Sequence, residues 1–259
     1  MGRLLVAIII GAVLVIALVI VPLYQVDWSG FREQTLWSWM ELLLVPVFLA
    51  IAAYYLNDQV RRRTRQQEEE RILEDALRQY FDAMNALLLD APALSVSARM
   101  VATLRTVTVL RRLDRERMQE VINFLRDSNL LSEEASILDG ARMTNMRLSE
   151  LDLSAAYLHG TKLSYADLTG TDLSIADLRD ADLTLADLSG AKLNAANFEG
   201  ADLSGAILIG ADLEGAILRG SNLQGAKLEG VFYSNDTILP DDTRWTPETD
   251  LQRFTAPTV

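Results

Sequence analysis

Ala166-Asp167-Leu168-Thr169-Gly170, Ala186-Asp187-Leu188-Ser189-Gly190, Ala201-Asp202-Leu203-Ser204-Gly205 and Ala211-Asp212-Leu213-Glu214-Gly215 are variants of one five-residue phrase. Twenty such units run end to end from Ser136 to Asn235. With the central residue of each unit called i, Leu fills i in seventeen units, and Met143, Phe198 and Tyr233 fill the others. Ala stands at i−2 in most units, as at Ala166, Ala176, Ala181 and Ala186. In an extended chain i and i−2 point to the same side. Each unit therefore offers one large and one small apolar side chain to a shared interior. The residue between them, usually Asp, Asn or Lys, points out. Gly is frequent at i+2, where a tight corner suits it.

A segment this short does not bury its own apolar pair, but stacked units do, which is the logic of a solenoid. A β-sandwich needs strands of about 5–6 residues joined by separate turns, and a five-residue unit leaves room for a corner alone. A period of five does not track one face of a helix. These A(D/N)LXX units resemble the pentapeptide-repeat proteins over about 100 of the 259 residues. The resemblance implies a right-handed quadrilateral β-helix with four units per coil, hence five coils, about 24 Å tall at a strand spacing of roughly 4.8 Å. Met146 and Leu151 depart from the usual Ala, so the first coils are expected to be wider or slightly irregular. The fold class is mainly β, preceded by two transmembrane helices and a small α-helical region.

The chain carries a net charge of −12, one His and no Cys, so disulfides and thiol chemistry are excluded. Its hydrophobic residues concentrate at the N-terminus. Residues 4–24 are apolar and uncharged, and at 1.5 Å per residue they are long enough for a bilayer core. No cleavage pattern follows, which favours an uncleaved anchor over a signal peptide. Residues 36–56 form a second run, with Glu41 near its start beside Trp37 and Trp39, an interfacial arrangement. Pro46 is expected to kink it. Arg61, Arg62, Arg63 and Arg65 follow, and the positive-inside rule places them, Arg3 and both termini on the cytoplasmic side. Residues 1–56 thus read as a transmembrane hairpin, with the lipid bilayer as one partner. The same arginines are candidates for anionic headgroups.

Residues 57–135 read as a cytoplasmic helical region that caps the solenoid. Leu73, Leu77, Tyr80, Met84 and Leu87 form an apolar stripe on a helix from about Asn57 to Asp90. A second helix, capped by Ser97 or a neighbour, is expected to turn Met100, Leu104, Val107 and Leu110 inward. Asp114 reads as the N-cap of a third, with Met118, Val121, Ile122 and Leu125 on one face. The block from Leu104 to Leu131 resembles the segment before the repeats in membrane-anchored bacterial pentapeptide-repeat proteins. Residues 236–259 resemble the family's C-terminal tail, in which Gly usually stands where this chain has Asp242. Trp245 and Phe254 are the candidate plugs of that end.

No catalytic, metal or cofactor constellation emerges, and no enzyme is expected. His159 sits at an outward i+1 position and reads as a solvated surface residue between Asp139 and Arg179. Arg179, Glu199 and Arg219 fall in register as a charge ladder. Tyr165 and Leu185, one coil apart at i+2, and Ile207 and Ile209 on a neighbouring face are the candidate protein-contact residues. The leading functional expectation is a membrane-tethered scaffold that binds a protein partner or itself. One alternative follows from the resemblance, since some family members act on DNA gyrase as acidic DNA mimics. Here the outward charges form no acidic stripe, since Asp182 and Asp202 share a face with Arg142 and Lys162, and nucleic acid is not expected as a partner. Another alternative is an accessory subunit of a membrane complex or transporter.

Overall fold

The computed structural model describes residues 36–89 and 95–256, with side chains from Pro46 onward. The chain divides into two compact units, Met1–Glu70 and Arg71–Val259. The apolar run 4–24 lies outside the described residues. The run 36–56 falls in helix α1, Leu36–Leu89, which is 54 residues long and contains Pro46. α1 does not stop at residue 56, so the second apolar run and the helix expected from Asn57 form one element. Among the described residues no helix is long and apolar enough to cross a membrane.

In the second unit, α1 buries Leu77, Tyr80 and Met84, with Leu73 and Leu87 packed at the margin. α2, Val96–Leu110, starts at Ser95, whose hydroxyl accepts the Ala98 N–H at 3.2 Å. α3, Arg115–Asp127, starts at Asp114, which accepts the Arg117 N–H at 3.0 Å. α3 buries Met118, Val121, Ile122 and Leu125. α2 is rotated from the expected setting. It buries Ala102, Thr106, Val107, Val109 and Leu110, while Met100 and Leu104 are 72% and 67% exposed. Polar pairing accounts for the rotation. Buried Tyr80 and Thr106 hydroxyls bond at 2.9 Å, and Thr103 Oγ1 donates to the Ile137 carbonyl at 2.5 Å. Desolvation pushes the Tyr80 phenol up to about 12, against the opposing effect of the Thr106 bond.

The repeats form a β-helix with a coil of twenty residues. Parallel bridges join Arg142 to Lys162, Asp167 to Asp187 and Asp202 to Asn222. The Leu163 N–H reaches the Asp182 carbonyl at 2.7 Å, and the Asp182 N–H reaches the Thr161 carbonyl at 2.9 Å. Between bridges the chain turns a corner. The Ala166 N–H donates to the Leu163 carbonyl at 3.0 Å, and Tyr165, third in that turn, has φ +59°. A type II turn demands positive φ there. Every i residue from Leu138 to Leu223 is buried, and so is each i−2 residue. Met146 and Leu151 fit inside at 3% and 1% exposure. Thr161 and Thr171 replace Ala without orphaning a hydroxyl, because each donates to a backbone carbonyl.

The helices satisfy the edge of the first coils. Arg126 grips the Asp152 carboxylate and donates to its carbonyl, while Gln119 Oε1 accepts the Asp152 N–H at 2.8 Å. The Tyr157 N–H donates to the Leu131 carbonyl at 2.8 Å. At the other end the stack outlasts the five-residue count. Ile217 pairs with Ile238, twenty-one residues on, so one residue is inserted. Thr237 and Leu239 then supply another small–large buried pair. Ile238 also bridges Arg244 in antiparallel sense. Trp245 stacks on Tyr233 at 5.4 Å, and the short helix α4, Gln252–Thr255, brings half-buried Phe254 onto the core.

Candidate interaction surface

Most outward positions have structural work. The i−1 Asp accepts the N–H of residue i+1, as Asp167 does from Thr169 at 3.1 Å, Asp187 from Ser189 at 3.0 Å and Asp202 from Ser204 at 2.9 Å. This local bond braces the corner, and it explains the abundance of Asp without chemistry. Burial alone would raise the carboxyls of Asp152, Asp172 and Asp177. Bonds from Ser154, Ser174 and Arg179, aided by Arg126 and Lys192, outweigh it and hold them below the usual range.

A pH dependence follows. The unfolded chain binds protons more tightly at these sites, near pH 4. Their stabilisation is therefore complete above about pH 4 and is lost as pH falls through the folded values. The urea midpoint of the full chain in detergent is expected to fall between pH 5 and pH 3. An unchanged midpoint would contradict the bracing role.

His159 is not merely solvated. Its Nδ1 lies 3.1 Å from Asp139 Oδ1, its Nε2 lies 3.4 Å from Asp180 Oδ2, and its ring stacks on Tyr157. Arg179 bends back onto Asp177 and reaches Glu133, leaving Glu199 to Arg219 at 3.6 Å. Of the two pairings expected in the three-residue ladder, one is therefore formed, Glu199 with Arg219. The sequence does not show this because side-chain reach decides it: Arg179 folds onto Asp177 two residues away, while His159 reaches Asp139 one coil away. Among the described residues no group of three or more His, Asp or Glu is placed to hold a metal.

What remains outward and apolar sits mainly at corners. Tyr165 and Leu185 share one corner column at 58% and 48% exposure, with φ +59° and +57°. Leu185 leans over Gly205, where an added Cβ would meet Leu185 Cδ2 at 2.7 Å. Ile209 is 44% exposed, whereas Ile207 is half-buried between Asp187 and Lys227, so these two do not form an equal pair. Ile175, at 65% exposure and φ +62°, lies half a coil from Tyr165 and leaves from the opposite corner. Its i+2 position was the available signal in the sequence. In the first unit Arg61, Arg62, Arg63 and Arg65 are exposed, and Arg62 pairs with Asp58 at 2.9 Å. Trp245 and Phe254 are both partly buried at the C-terminal end.

The family model for pentapeptide repeats matches residues 136–174, 163–200 and 196–232, in 8 copies. This segment of the chain belongs to the pentapeptide-repeat family. Among solved structures the chain is similar to the pentapeptide repeat protein Rfr23 from the cyanobacterium Cyanothece 51142. The identity is 38% over 34% of this chain and 64% of that one, with a TM-score of 0.27. It is similar to a pentapeptide repeat protein from the Arabidopsis thaliana thylakoid lumen at 33% identity, over 39% of this chain and 73% of that one, TM-score 0.32. It is also similar to HetL, from Nostoc sp. strain PCC 7120, at 36% identity, over 41% of this chain and 62% of that one, TM-score 0.21. At these scores the superpositions carry no functional argument. No curated protein matches the chain.

Proposed function

We propose that this protein is a non-enzymatic, membrane-anchored scaffold that holds a protein partner on a corner column of its β-helix. The observation that carries the reading is conformational. Tyr165 and Leu185 keep large, exposed apolar side chains at positive φ, where eleven other corners have Gly and, Ile175 apart, the remaining positive-φ corners of the repeats have Asn, Glu, Ala or Asp. A left-handed backbone costs a residue with a Cβ about 1–2 kcal/mol, and exposure returns little of it. Unrepaid strain of this kind clusters at functional positions.

Anchoring is supported by the apolar runs 4–24 and 36–56. In the described part of the second run, Phe48, Leu49, Ile51, Tyr54 and Leu56 are all exposed. Burying a side chain of this size in an apolar phase is worth about 1.5–3 kcal/mol, and a bilayer offers that burial. The four arginines that follow put the termini and the β-helix on the cytoplasmic side in this reading. A DNA-mimic role fits the outward charges less well. One column reads Arg142, Lys162, Asp182, Asp202, Asn222, and another pairs Asp172 with Lys192 at 3.1 Å. An accessory role in a transporter is a special case of the scaffold in which the partner is a membrane protein.

The test is capture of partners by the tagged full chain from detergent-solubilised membranes, beside Tyr165→Gly/Leu185→Gly. Glycine suits both backbones, so the variant is expected to fold with a midpoint within about 1 kcal/mol of the parent. Partner recovery is expected to fall at least about tenfold, the loss of roughly 1.4 kcal/mol or more of binding free energy. Equal recovery with both proteins would end the corner-column reading.

A further inference from the structure

Helix α2 turns an apolar row outward. Val96, Met100 and Leu104 are 84%, 72% and 67% exposed, four residues apart on one face, with Val101 beside them at 42%. The row borders an open groove of about 540 Å³ against Gly140, Ala141 and Arg142 of the first coil. Its charge is equally unusual. Residues 91–113 hold Arg99, Arg105, Arg111 and Arg112 and no Asp or Glu, in a chain of net charge −12. Arg99 donates to the Glu134 carbonyl at 3.1 Å, and Arg111 to the Arg142 carbonyl at 3.3 Å. Bonds to neutral carbonyls leave both charges in place. Among the described residues none of the four arginines pairs with a carboxylate. Asp139, the acid on the groove, is engaged by His159.

We propose that this face of α2 rests on an anionic phospholipid bilayer. Apolar side chains on a basic helix enter the boundary between headgroups and acyl chains, while arginines reach the phosphates. Charge complementarity selects this occupant. A second copy would oppose four arginines with four more, and a neutral protein groove would leave the arginines unanswered. The inference rests on the membrane reading above but concerns a different segment, so the two fail separately.

The chain has no Cys, so Met100→Cys supplies a single site for an environment-sensitive fluorophore. Ile175→Cys, at an exposed solenoid corner, is the control. The full chain is mixed with vesicles of phosphatidylcholine, with or without about a third phosphatidylserine, carrying acyl-chain nitroxide quenchers. The Met100 label is expected to be quenched at least about threefold more with phosphatidylserine present, and the Ile175 label in neither case. Arg105→Glu/Arg112→Glu, two exposed positions, is expected to return quenching to the neutral-vesicle level. A chain that floats with the vesicles while its Met100 label stays unquenched overturns the α2 contact and leaves the tether. A blue-shifted but unquenched label means that protein covers the face, and it also overturns the inference. Flotation only with phosphatidylserine, reversed by salt and accompanied by quenching of the Met100 label, supports α2 and removes the tether, whereas the same flotation with an unquenched Met100 label assigns it to Arg61, Arg62, Arg63 and Arg65 and overturns the α2 contact. No flotation and no quenching removes both.

Discussion

Ala186→Asp is expected to abolish the β-helix at neutral pH. Ala186 is 0% exposed, and its stack neighbours one coil away, Ala166 and Ala206, are 1% and 0% exposed. A carboxylate there has no water and no cation. Burying an isolated charge costs several kcal/mol even after relaxation, or the group stays protonated at a similar cost. That is comparable with the whole stability of a domain, about 5–15 kcal/mol. The added atoms also meet a column sized for methyl groups. One position later the same residue is benign, because Asp187 points out and accepts the Ser189 N–H at 3.0 Å. Far-UV circular dichroism of the full chain in detergent reads the outcome, with Ala186→Ser as a mild control expected to cost about 1–3 kcal/mol. Because the buried acid is less costly when neutral, the variant is expected to recover β signal on mild acidification, down to about pH 5. A variant with the parent's urea midpoint at pH 7 would mean that i−2 is not interior.

Phe198→Ala is expected to destabilise the β-helix by about 3–5 kcal/mol. Phe198 is the aromatic among the buried central residues, at 0% exposure, with Leu178 and Leu218 below and above it in the same column. Removing the ring leaves a cavity in the middle of the stack, where the coils on both sides are held by backbone bonds. The Phe198 N–H reaches the Ile217 carbonyl at 2.7 Å, so the walls are poorly able to collapse. Phe198→Leu restores the residue found along the rest of the column and is expected to cost no more than about 1.5 kcal/mol. Each repeat contacts only its neighbours. The alanine variant is therefore also expected to broaden the urea transition, as the coils on either side of residue 198 lose their coupling. A shift below about 1 kcal/mol would show that the stack closes over the gap.

The repeat told its own story because its physics is local. A large–small apolar pair every five residues, an outward Asp between them and a corner residue specify a coil without any long-range information. For the same reason the sequence placed Tyr165 and Leu185 at one corner, and the structure puts both there with positive φ and exposed side chains. Ile175 has no large apolar neighbour in its column, with Ala155 and Ala195 one coil to either side, so a pattern of pairs does not reveal it. Ile207 and Ile209 look alike in the sequence, but Ile207 is half-buried and Ile209 is 44% exposed. The family's preference for Gly at Asp242 has a visible cause, since Asp242 holds φ +66°.

Where contacts cross between elements, the sequence was less informative. Hydropathy turned Met100 and Leu104 inward, but the rotation of α2 is fixed by hydroxyl partners on α1 and in the first coil, and a one-dimensional pattern does not contain them. The single-residue insertion that carries the stack on to Leu239 was hidden by the end of the five-residue count. His159 and Arg179 found partners that depend on side-chain reach. What the sequence determined by itself is the coil: its period, its interior and its corners, because each unit repeats the same local argument. What only the tertiary structure decided is how the ends are closed and which surfaces are left over, because those depend on how unlike elements share hydrogen-bond partners across space.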